Sequence, residues 1–404
     1  MSVTTALNAY RDRIGPSVLE TLRAAVGRVA ALDARLRDAG VSLGPETDVA
    51  DLDAVAVLSK DALPALQRMH PPFGGLLADG AVIARVFASP GPIYEAQLEG
   101  PDPWRWAPAL KACGIGPGDL VLNCFSYHLS PAGAMFDEAC RAVGASVVPA
   151  GVGNGELQAR LIADLGVTAY IGLPSYLAAL IEHFDGLGLD AQTWRLKSAL
   201  VTAEPLRDTL REQLMQRVPT VLMAYGTAEV GLLGFEESPG GGLTVPPGVY
   251  VQICEEATGR PLDGDEPGEV VASVLHRDYP LLRFGTGDVS RWQLGADGNL
   301  RLAGVLGRVG AAVKVRGMFV HPHQAAEVIA TLTAVGVTGG RFVVERIDEK
   351  DVLRVELVTD STVDPHEVVE TAERRTREHL RVRPEVRLVD SLDARSVLVD
   401  ARTE

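Results

Sequence analysis

The four cysteines of this sequence form no CxxC pair, and no histidine cluster stands ready to complete a set of zinc ligands. This pattern argues against a disulfide scaffold and against a zinc module. Buried or half-buried free thiols in a reducing compartment are therefore the expectation for Cys113, Cys124, Cys140 and Cys254.

Long apolar runs and positive charge are also scarce. No stretch approaches the ~18 uninterrupted apolar residues of a membrane span. The first residues, MSVTTALNAYRDRIG, lack a basic start followed by an apolar run, so no signal peptide is predicted. The net charge is −15 at pH 7, whereas nucleic acid and anionic membranes both require a positive field. We therefore expect a cytoplasmic protein with neither nucleic acid nor a membrane as a partner.

The chain is long and rich in apolar residues. Its 404 residues exceed one ordinary core, which predicts two or more domains, and 47% of them are apolar. The charged share of 23% is typical of globular proteins. Negative bulk charge still permits a phosphate-bearing ligand, provided that backbone N–H groups, Arg, Lys or Mg²⁺ surround it.

The central third of the chain alternates apolar strands with helical segments of 10–14 residues. This alternation predicts a parallel, right-handed α/β sheet. Ligands of such sheets lie beyond the C-terminal ends of the strands, so chemistry is expected at 126–128, 172–175, 203–204 and 226–229. The predicted strands are 119–125, 145–149, 168–172, 198–202 and 220–225, and the predicted helices are 131–143, 156–165, 175–184 and 205–217.

The flanking regions have other patterns. Apolar residues at helical spacing predict one helix over 18–39, and the Pro- and Gly-rich stretch 71–103 predicts loops with short strands. Short β runs between turns predict an antiparallel meander over 240–303. A boundary is predicted near Gly307–Arg308, followed by a small α+β unit. Its predicted elements are a strand at 313–320, a helix at 322–333, strands at 341–347 and 352–359, a helix at 364–380 and a strand at 385–390.

The segment AYGTAEVG, residues 224–231, directly follows an apolar strand. A ligand-binding loop of a parallel sheet is expected at this place. The alternative interpretation is a Gly turn followed by a helix N-terminus, where a Glu is favourable.

Two later segments carry further candidate ligands. YPLLRFGTGDVSRW, residues 279–292, places Asp288 after a Gly-Thr-Gly turn, and one carboxylate can accept hydrogen bonds from two hydroxyls. Its alternative interpretation is a hairpin turn. LGRVGAAVKVRGMFVHP, residues 306–322, carries several cations and can alternatively be an exposed basic strand.

In this order and at these spacings, the three segments resemble the signatures of the adenylate-forming enzymes, Tyr-Gly-x-Thr-Glu, Tyr-Arg-Thr-Gly-Asp and Gly-Arg-x-Asp-x-x-x-Lys-x-x-Gly. Matches at 51–63, 172–180 and 201–208 extend the resemblance to the phenylacetate–CoA ligase branch. The resemblance implies an α/β fold. It implies a large adenylation domain at 1–306, with parallel α/β sheets and a β-rich subdomain, and a small mobile α+β lid at 307–404.

The resemblance also implies residue roles. Glu229 is expected to hold Mg²⁺ and Asp288 to hold the ribose. His128 has an open alternative as a satisfied core or loop histidine. The remaining implied contacts are Tyr225, Gly226 and Glu204 at the adenine side, Thr227, Ser89 and Gly91 at phosphate, Arg308 at ribose or phosphate, Lys314, Arg316 and Gly317 on the lid, and Tyr127, His128, Ser175 and Tyr176 in the acyl pocket.

The sequence departs from the family pattern at several places. The phosphate loop is FASPGPIYE, residues 87–95, in which Pro90 and Pro92 have no N–H to donate to phosphate. Ala228 stands at the family's Thr position and Gly310 at its hinge Asp position. Residues 390–404 contain no Lys, and Arg395 is not an equivalent replacement. Losing one such electrostatic donor costs ~3–4 kcal/mol in a transition state.

The resemblance implies an ATP-dependent carboxylate–CoA ligase of an aromatic or similar small acid, with ATP, Mg²⁺ and coenzyme A. A homodimer is implied in the same way. The degraded elements leave a second hypothesis, a ligase-fold protein that no longer adenylates and serves as a binding or regulatory partner or only in the thioester half-reaction. An unrelated α/β binding module is the third.

Overall fold

The computed structural model describes residues 2–89, 93–309, 313–315, 318–320, 322–347, 350–360, 363–380, 382–392 and 397–402. The chain divides into two compact units, Met1–Val305 and Leu306–Glu404. This division lies one residue from the predicted boundary, while the adenylation and lid roles given to the two parts stay predictions.

The first unit begins with two helices, α1 (Val3–Ala25) and α2 (Ala30–Asp38). The single helix predicted over 18–39 is therefore wrong. The side chain of Ser2 caps the start of α1 by accepting the N–H of Thr5. Gly27, at φ +76°, separates the helices, because this left-handed conformation does not continue a helix.

A hairpin follows in the Pro- and Gly-rich region. Its strands β2 and β3 pair antiparallel and have seven and six residues. Before them, a 3₁₀ turn spans Lys60–Ala62. The elements of this part are β1 (Leu58–Ser59), α3 (Leu63–Met69), β2 (Ile83–Ser89), β3 (Ile93–Leu98) and α4 (Ala107–Ala112).

A six-stranded sheet forms the centre of the first unit and confirms the predicted α/β pattern. Its elements are β4 (Leu120–Asn123), α5 (Ala132–Ala142), β5 (Ser146–Pro149), α6 (Gly155–Leu165), β6 (Ala169–Gly172), α7 (Pro174–Gly186), β7 (Ser198–Val201), α8 (Asp208–Met215), β8 (Thr220–Thr227) and β9 (Gly231–Phe235). The strand order is β5-β4-β6-β7-β8-β9, and each pair is parallel except β8–β9. Helices cover both faces, as successive strand residues point to opposite sides: Val121 packs with α4 and α5, and Leu122 with α6 and α7.

A second sheet confirms the predicted meander. Strands β10 (Val249–Cys254), β11 (Gly268–Val274) and β12 (Phe284–Ser290) pair antiparallel, and β1 joins β12 in parallel. The hairpin β13 (Trp292–Leu294) and β14 (Leu300–Leu302) follows. These strands share one apolar core with α1 and α2.

The second unit is a small α+β structure built on a four-stranded sheet of order β20-β19-β18-β21. The one strand predicted over 313–320 is wrong, because a hairpin of two short antiparallel strands occupies this stretch. The strand nearest the C-terminus, Leu398–Asp400, was not predicted. The elements are β15 (Gly307–Arg308), β16 (Val313–Val315), β17 (Met318–Val320), α9 (Pro322–Thr331), β18 (Val337–Ile347), β19 (Lys350–Thr359), α10 (Pro365–Leu380), β20 (Glu385–Leu388) and β21 (Leu398–Asp400).

All four cysteines are buried free thiols, as expected. Over the part of the chain that the structure describes, no cluster of three or more His, Cys, Asp or Glu residues has the arrangement of a metal site. Within the same residues, every helix is too short or too polar to cross a bilayer.

Candidate functional site

The first two signature segments meet at the end of β8. The hydroxyl of Tyr225 donates to Oδ2 of Asp288 at 2.9 Å, and both residues are 7% exposed. Thr286 fixes the neighbouring backbone, because its hydroxyl donates to the carbonyl of Val270 and accepts the N–H of Asp288. Two segments far apart in sequence therefore share one hydrogen-bonded cluster between the six-stranded sheet and the sheet of β10, β11 and β12.

The turn between β8 and β9 is tightly packed at its glycines. A Cβ on Gly226 would lie 2.4 Å from the carbonyl oxygen of Gly231 and 2.7 Å from the ring of Trp106. The hydroxyl of Thr227 accepts the N–H of Val230, which closes the turn. The sequence Gly-Thr-Ala-Glu is thus held in one backbone conformation, and this conformation places Glu229 in the interior.

Glu229 is a buried carboxylate with a cationic neighbour. Its side chain is 1% exposed, and the ammonium group of Lys60 lies 2.9 Å from Oε1. Neither oxygen accepts a hydrogen bond of good geometry from any residue that the structure describes. The contact is therefore an ion pair, and it compensates a charge that would otherwise be costly to bury.

A second acidic side chain lies beside this pair. Ser89 donates its hydroxyl to Oε1 of Glu95 at 2.6 Å. Burial raises the pKa of Glu95 to about 7; the charge of Glu229 adds to this rise, while the Ser89 hydrogen bond and Lys60 oppose it. The predicted phosphate-loop residue Gly91 lies outside the described residues, and β2 and β3 are the strands on either side of it.

A narrow cleft opens onto these two carboxylates. A second, smaller cleft shares Glu95, Ala96, Glu229 and Tyr279 with it. Burial lowers the pKa of His276, on the wall of the larger cleft, against the opposing charge of Asp278. The larger cleft is lined by Glu95, Ala96, Gln97, Leu98, Pro103, Trp104, Arg105, Ala228, Glu229, Val230, Val274, His276 and Tyr279.

The other predicted site residues fall into separate groups. Glu204 accepts the hydroxyl of Ser175 at 2.6 Å. The hydroxyl of Tyr176 donates to Gln158 at 2.8 Å, so it points toward α6. Asp288 and Tyr225 line neither of the two clefts at Glu229.

The strand end after β4 carries Tyr127 and His128. The hydroxyl of Tyr127 accepts the side-chain amide of Asn123 at 2.8 Å, and burial raises the pKa of this tyrosine. His128 is exposed, so its interpretation as a satisfied core histidine is wrong, while a loop or pocket role stays open.

Two predicted residues belong to the second unit. Arg308 ends β15 and is exposed. The backbone of Lys314 lies in β16, and its side chain is outside the description, as are Arg316, Gly317 and Arg395. Their predicted contacts with a nucleotide stay predictions.

Lys60, Glu95 and Tyr279 were missed as site residues. Each stands inside a segment quoted for the resemblance, at 51–63, 87–95 and 279–292. For Glu95, the sequence did contain a signal: an acidic residue stands at the end of a predicted phosphate loop, where positive charge is expected. Nothing in the sequence pairs Lys60 with Glu229, because their contact depends on the fold.

The comparisons with known proteins agree with this architecture. The family profile described as AMP-binding enzyme matches residues 138–274. The phenylacetate-coenzyme A ligase of Thermus thermophilus is 28% identical over 349 residues, which cover 80% of this chain and 76% of that protein. The enzyme of the same name from Escherichia coli is 28% identical over 324 residues, covering 76% and 73%.

A solved structure shares the fold over nearly the whole chain. The open conformation of 2-hydroxyisobutyryl-CoA ligase, in complex with 2-HIB-AMP and CoA, has a TM-score of 0.78 at 20% identity and covers 95% of this chain and 90% of that one. The profile matches AMP-binding enzymes over about a third of the chain, and the solved structure shows the same fold. Over most of its length, the chain is similar to phenylacetate–CoA ligases.

Proposed function

We propose that this chain is an ATP-dependent carboxylate–CoA ligase that acts on an aromatic or similar small acid through an acyl-adenylate. The relatives named above are phenylacetate–CoA ligases, and similarity to them over most of the chain supports the reaction class. The observation that carries the proposal is the hydrogen bond between Tyr225 and Asp288, because it unites two signature segments in one buried cluster.

The proposed reaction has two steps. A carboxylate oxygen of the acid attacks the α-phosphorus of ATP, the bond to the β-phosphate oxygen breaks, and pyrophosphate leaves. The CoA thiolate then attacks the acyl carbon of the mixed anhydride, and AMP leaves with the bonding electron pair. Asp288 is proposed to accept the ribose hydroxyls, and Glu204, Tyr225 and Gly226 to lie at the adenine.

Glu229 is the proposed Mg²⁺ ligand. A hard carboxylate suits this ion, and both of its oxygens are buried without a hydrogen bond of good geometry from the described residues. When bound, Mg²⁺ would neutralise phosphate charge. Thr227 and Ser89 are the proposed neighbours of the phosphates, together with Gly91.

The acid and the lid complete the proposal. The acid is proposed to lie at Tyr127, His128, Ser175 and Tyr176, because these residues follow the C-terminal ends of β4 and β6. Residues 307–404 are proposed to act as a mobile lid that brings Arg308 and Lys314 to the nucleotide. A homodimer and a cytoplasmic location belong to the same proposal, since the resemblance implies the first and the unpaired thiols favour the second.

A second candidate is an adenylation-impaired protein that performs only the thioester half-reaction or binds ligands without turnover. One observation favours it: Ser89, a residue of the phosphate loop, donates its hydroxyl to the acidic Glu95. A carboxylate at this position repels phosphate oxygens.

Two assays separate these candidates. The first measures pyrophosphate release from ATP–Mg²⁺ across a panel of aromatic acids, and the second measures thioester formation from a synthetic acyl-AMP and CoA. Turnover in the first assay that disappears in Asp288→Ala and persists in the control Asp297→Ala, at an exposed turn, supports the ligase. Thioester formation without pyrophosphate release supports the second candidate, and a protein inactive in both assays contradicts the proposed function.

A further inference from the structure

We propose that Lys60 fills the cation position at Glu229 with its own ammonium group, that Glu95 is the second carboxylate of this position, and that a divalent ion must displace Lys60 to bind. The inference rests on the proposed function only where it names Mg²⁺ as the incoming ion. Binding and stability test it without turnover.

The first step is the burial of Glu229. Its side chain is 1% exposed, and a charge removed from water in this way needs a compensating charge or hydrogen bonds. Hydrogen bonds of good geometry to Glu229 are absent among the described residues, so the ammonium of Lys60, 2.9 Å away, supplies the compensation. The singly charged ammonium of Lys60 therefore neutralises Glu229 in the place where a bound cation would do so.

The second step is the position of Glu95. One of its oxygens accepts the hydroxyl of Ser89, and the other, Oε2, is buried without a hydrogen-bond partner in the described part of the chain. Glu95 and Glu229 line the same two clefts. Gln67 on α3 holds the strand there, because its side-chain amide both donates to and accepts from the backbone of Tyr94.

The third step is the charge balance. When both acids are ionised, two carboxylates of charge −1 lie beside one ammonium of charge +1, while the other cation on the wall of the larger cleft, Arg105, donates to the carbonyl of Val230. A divalent cation neutralises both. Oxygen ligands of this kind favour Mg²⁺ and Mn²⁺ over softer metals.

The fourth step is the ease with which Lys60 can leave. Its side chain is 34% exposed, and it is the first residue of the 3₁₀ turn Lys60–Ala62. A lysine ammonium is strongly hydrated and sits on a flexible four-carbon stem, so it can turn into water when a competing ion arrives. Glu229 cannot do so, because it is buried within the packed β8–β9 turn.

The test uses Lys60→Met in the full-length, nucleotide-free protein. Mn²⁺ binding is followed by electron paramagnetic resonance, and the thermal midpoint is measured with and without Mn²⁺. We expect Lys60→Met to bind Mn²⁺ at least about tenfold more tightly than the parent protein. Its thermal midpoint should fall by about 5 °C or more without metal and recover when Mn²⁺ is added.

Lys197→Met is the matched control. Lys197 also lies 2.8 Å from a buried carboxylate, that of Asp119, but Asp119 keeps hydrogen bonds from the N–H of Gly116 and the hydroxyl of Thr168. This variant should gain no Mn²⁺ binding and no stabilisation by Mn²⁺. A gain equal to that of Lys60→Met would mean that lost positive charge alone attracts the ion, and it would overturn the proposal.

Two further variants complete the test. Glu95→Gln in the Lys60→Met background should lose most of the gained Mn²⁺ affinity; full retention overturns the role of Glu95. Should Lys60→Met fail to fold in metal-free buffer, refolding in Mn²⁺ should recover it, and Lys60→Met/Glu229→Gln should fold without metal. Failure of both of these overturns the proposal, as does a folded Lys60→Met that gains no Mn²⁺ affinity.

The outcome is separable from that of the proposed function. A gain of Mn²⁺ binding in a protein that never releases pyrophosphate leaves this inference standing and removes the ligase. Pyrophosphate release by the parent protein, together with unchanged Mn²⁺ binding in Lys60→Met, supports the ligase and overturns this inference.

Discussion

Two buried glutamates stand on either side of strand β9, and each residue as a whole, backbone included, is 5% exposed. Glu236, after the strand, accepts both arms of the Arg211 guanidinium at 2.8 and 2.7 Å and the backbone N–H groups of Met223 and Gly240. Glu229, before the strand, has the ammonium of Lys60 at 2.9 Å and no hydrogen bond of good geometry from the described residues. The glutamate after β9 therefore has hydrogen bonds to both carboxylate oxygens, whereas the glutamate before β9 has only one ion-pair partner among the described residues.

The difference separates a structural carboxylate from one suited to a ligand. Every oxygen of Glu236 is engaged, so it fastens the end of β9 to α8 and β8, and an incoming ion would have to break several bonds. Glu229 has one partner, and that partner is partly exposed. Buried polar groups that are left undersatisfied are expected where a protein binds something.

The largest expected effect is on stability at Glu236. Arg211→Met leaves this carboxylate buried without its guanidinium, which should lower the free energy of unfolding by ~3–5 kcal/mol. Urea denaturation followed by circular dichroism measures this loss. A decrease below about 1 kcal/mol would contradict the structural role given to the pair.

The next effect is on catalysis at Glu229. Glu229→Gln keeps the shape of the side chain and removes the charge proposed to hold Mg²⁺, so pyrophosphate release should fall by ~10²–10³-fold. Glu237→Gln is the control, since Glu237 is half exposed and pairs with Arg301. Equal rates of pyrophosphate release for the two variants would contradict the catalytic role proposed for Glu229.

A smaller effect is expected at Asp288, a third buried carboxylate. Tyr225→Phe removes one hydroxyl donor from it, and a hydrogen bond to a charged group contributes ~1.5–3 kcal/mol. The KM for ATP should therefore rise by roughly 10- to 100-fold. Steady-state kinetics at saturating acid measure this change; an unchanged KM together with a lower kcat would show that the hydroxyl does not orient the nucleotide through Asp288.

The smallest effect is on the stability of Glu229→Gln. Removing this charge releases Lys60 to water and ends the desolvation of the carboxylate, so the free energy of unfolding should change by less than about 1 kcal/mol or rise. The same urea experiment applies. A loss as large as that of Arg211→Met would show that Glu229 is a structural residue.

The sequence was sufficient for most of the first unit. In the central sheet, apolar runs such as the one containing Val121 and Leu122, together with the regular spacing of the helices, predicted the order of strands and helices along the chain. The N-terminal helices were misjudged because Pro16 and Gly15 favour an interruption there, whereas α1 continues through both. Gly15 is buried against Val49, so packing outweighs its low helix propensity.

The candidate site was only partly predictable. The resemblance of their segments to the family signatures pointed to Glu229 and Asp288, whose roles stay predictions. Lys60 was not identifiable, since an ion pair between residues far apart in sequence is specified by the fold and not by any local pattern. In the second unit, β21 was unpredictable for the same reason. It forms a strand by pairing in parallel with β18, and its own sequence has no periodic pattern.

The β2–β3 hairpin has a practical consequence for engineering. Ser89 and Ile93 face each other in the ladder, and the hydrogen bond from Ser89 to Glu95 ties the two strands together just outside residues 90–92. A replacement of Pro90–Gly91–Pro92 by another segment can therefore use Ser89 and Ile93 as its two junctions, because these positions are already paired.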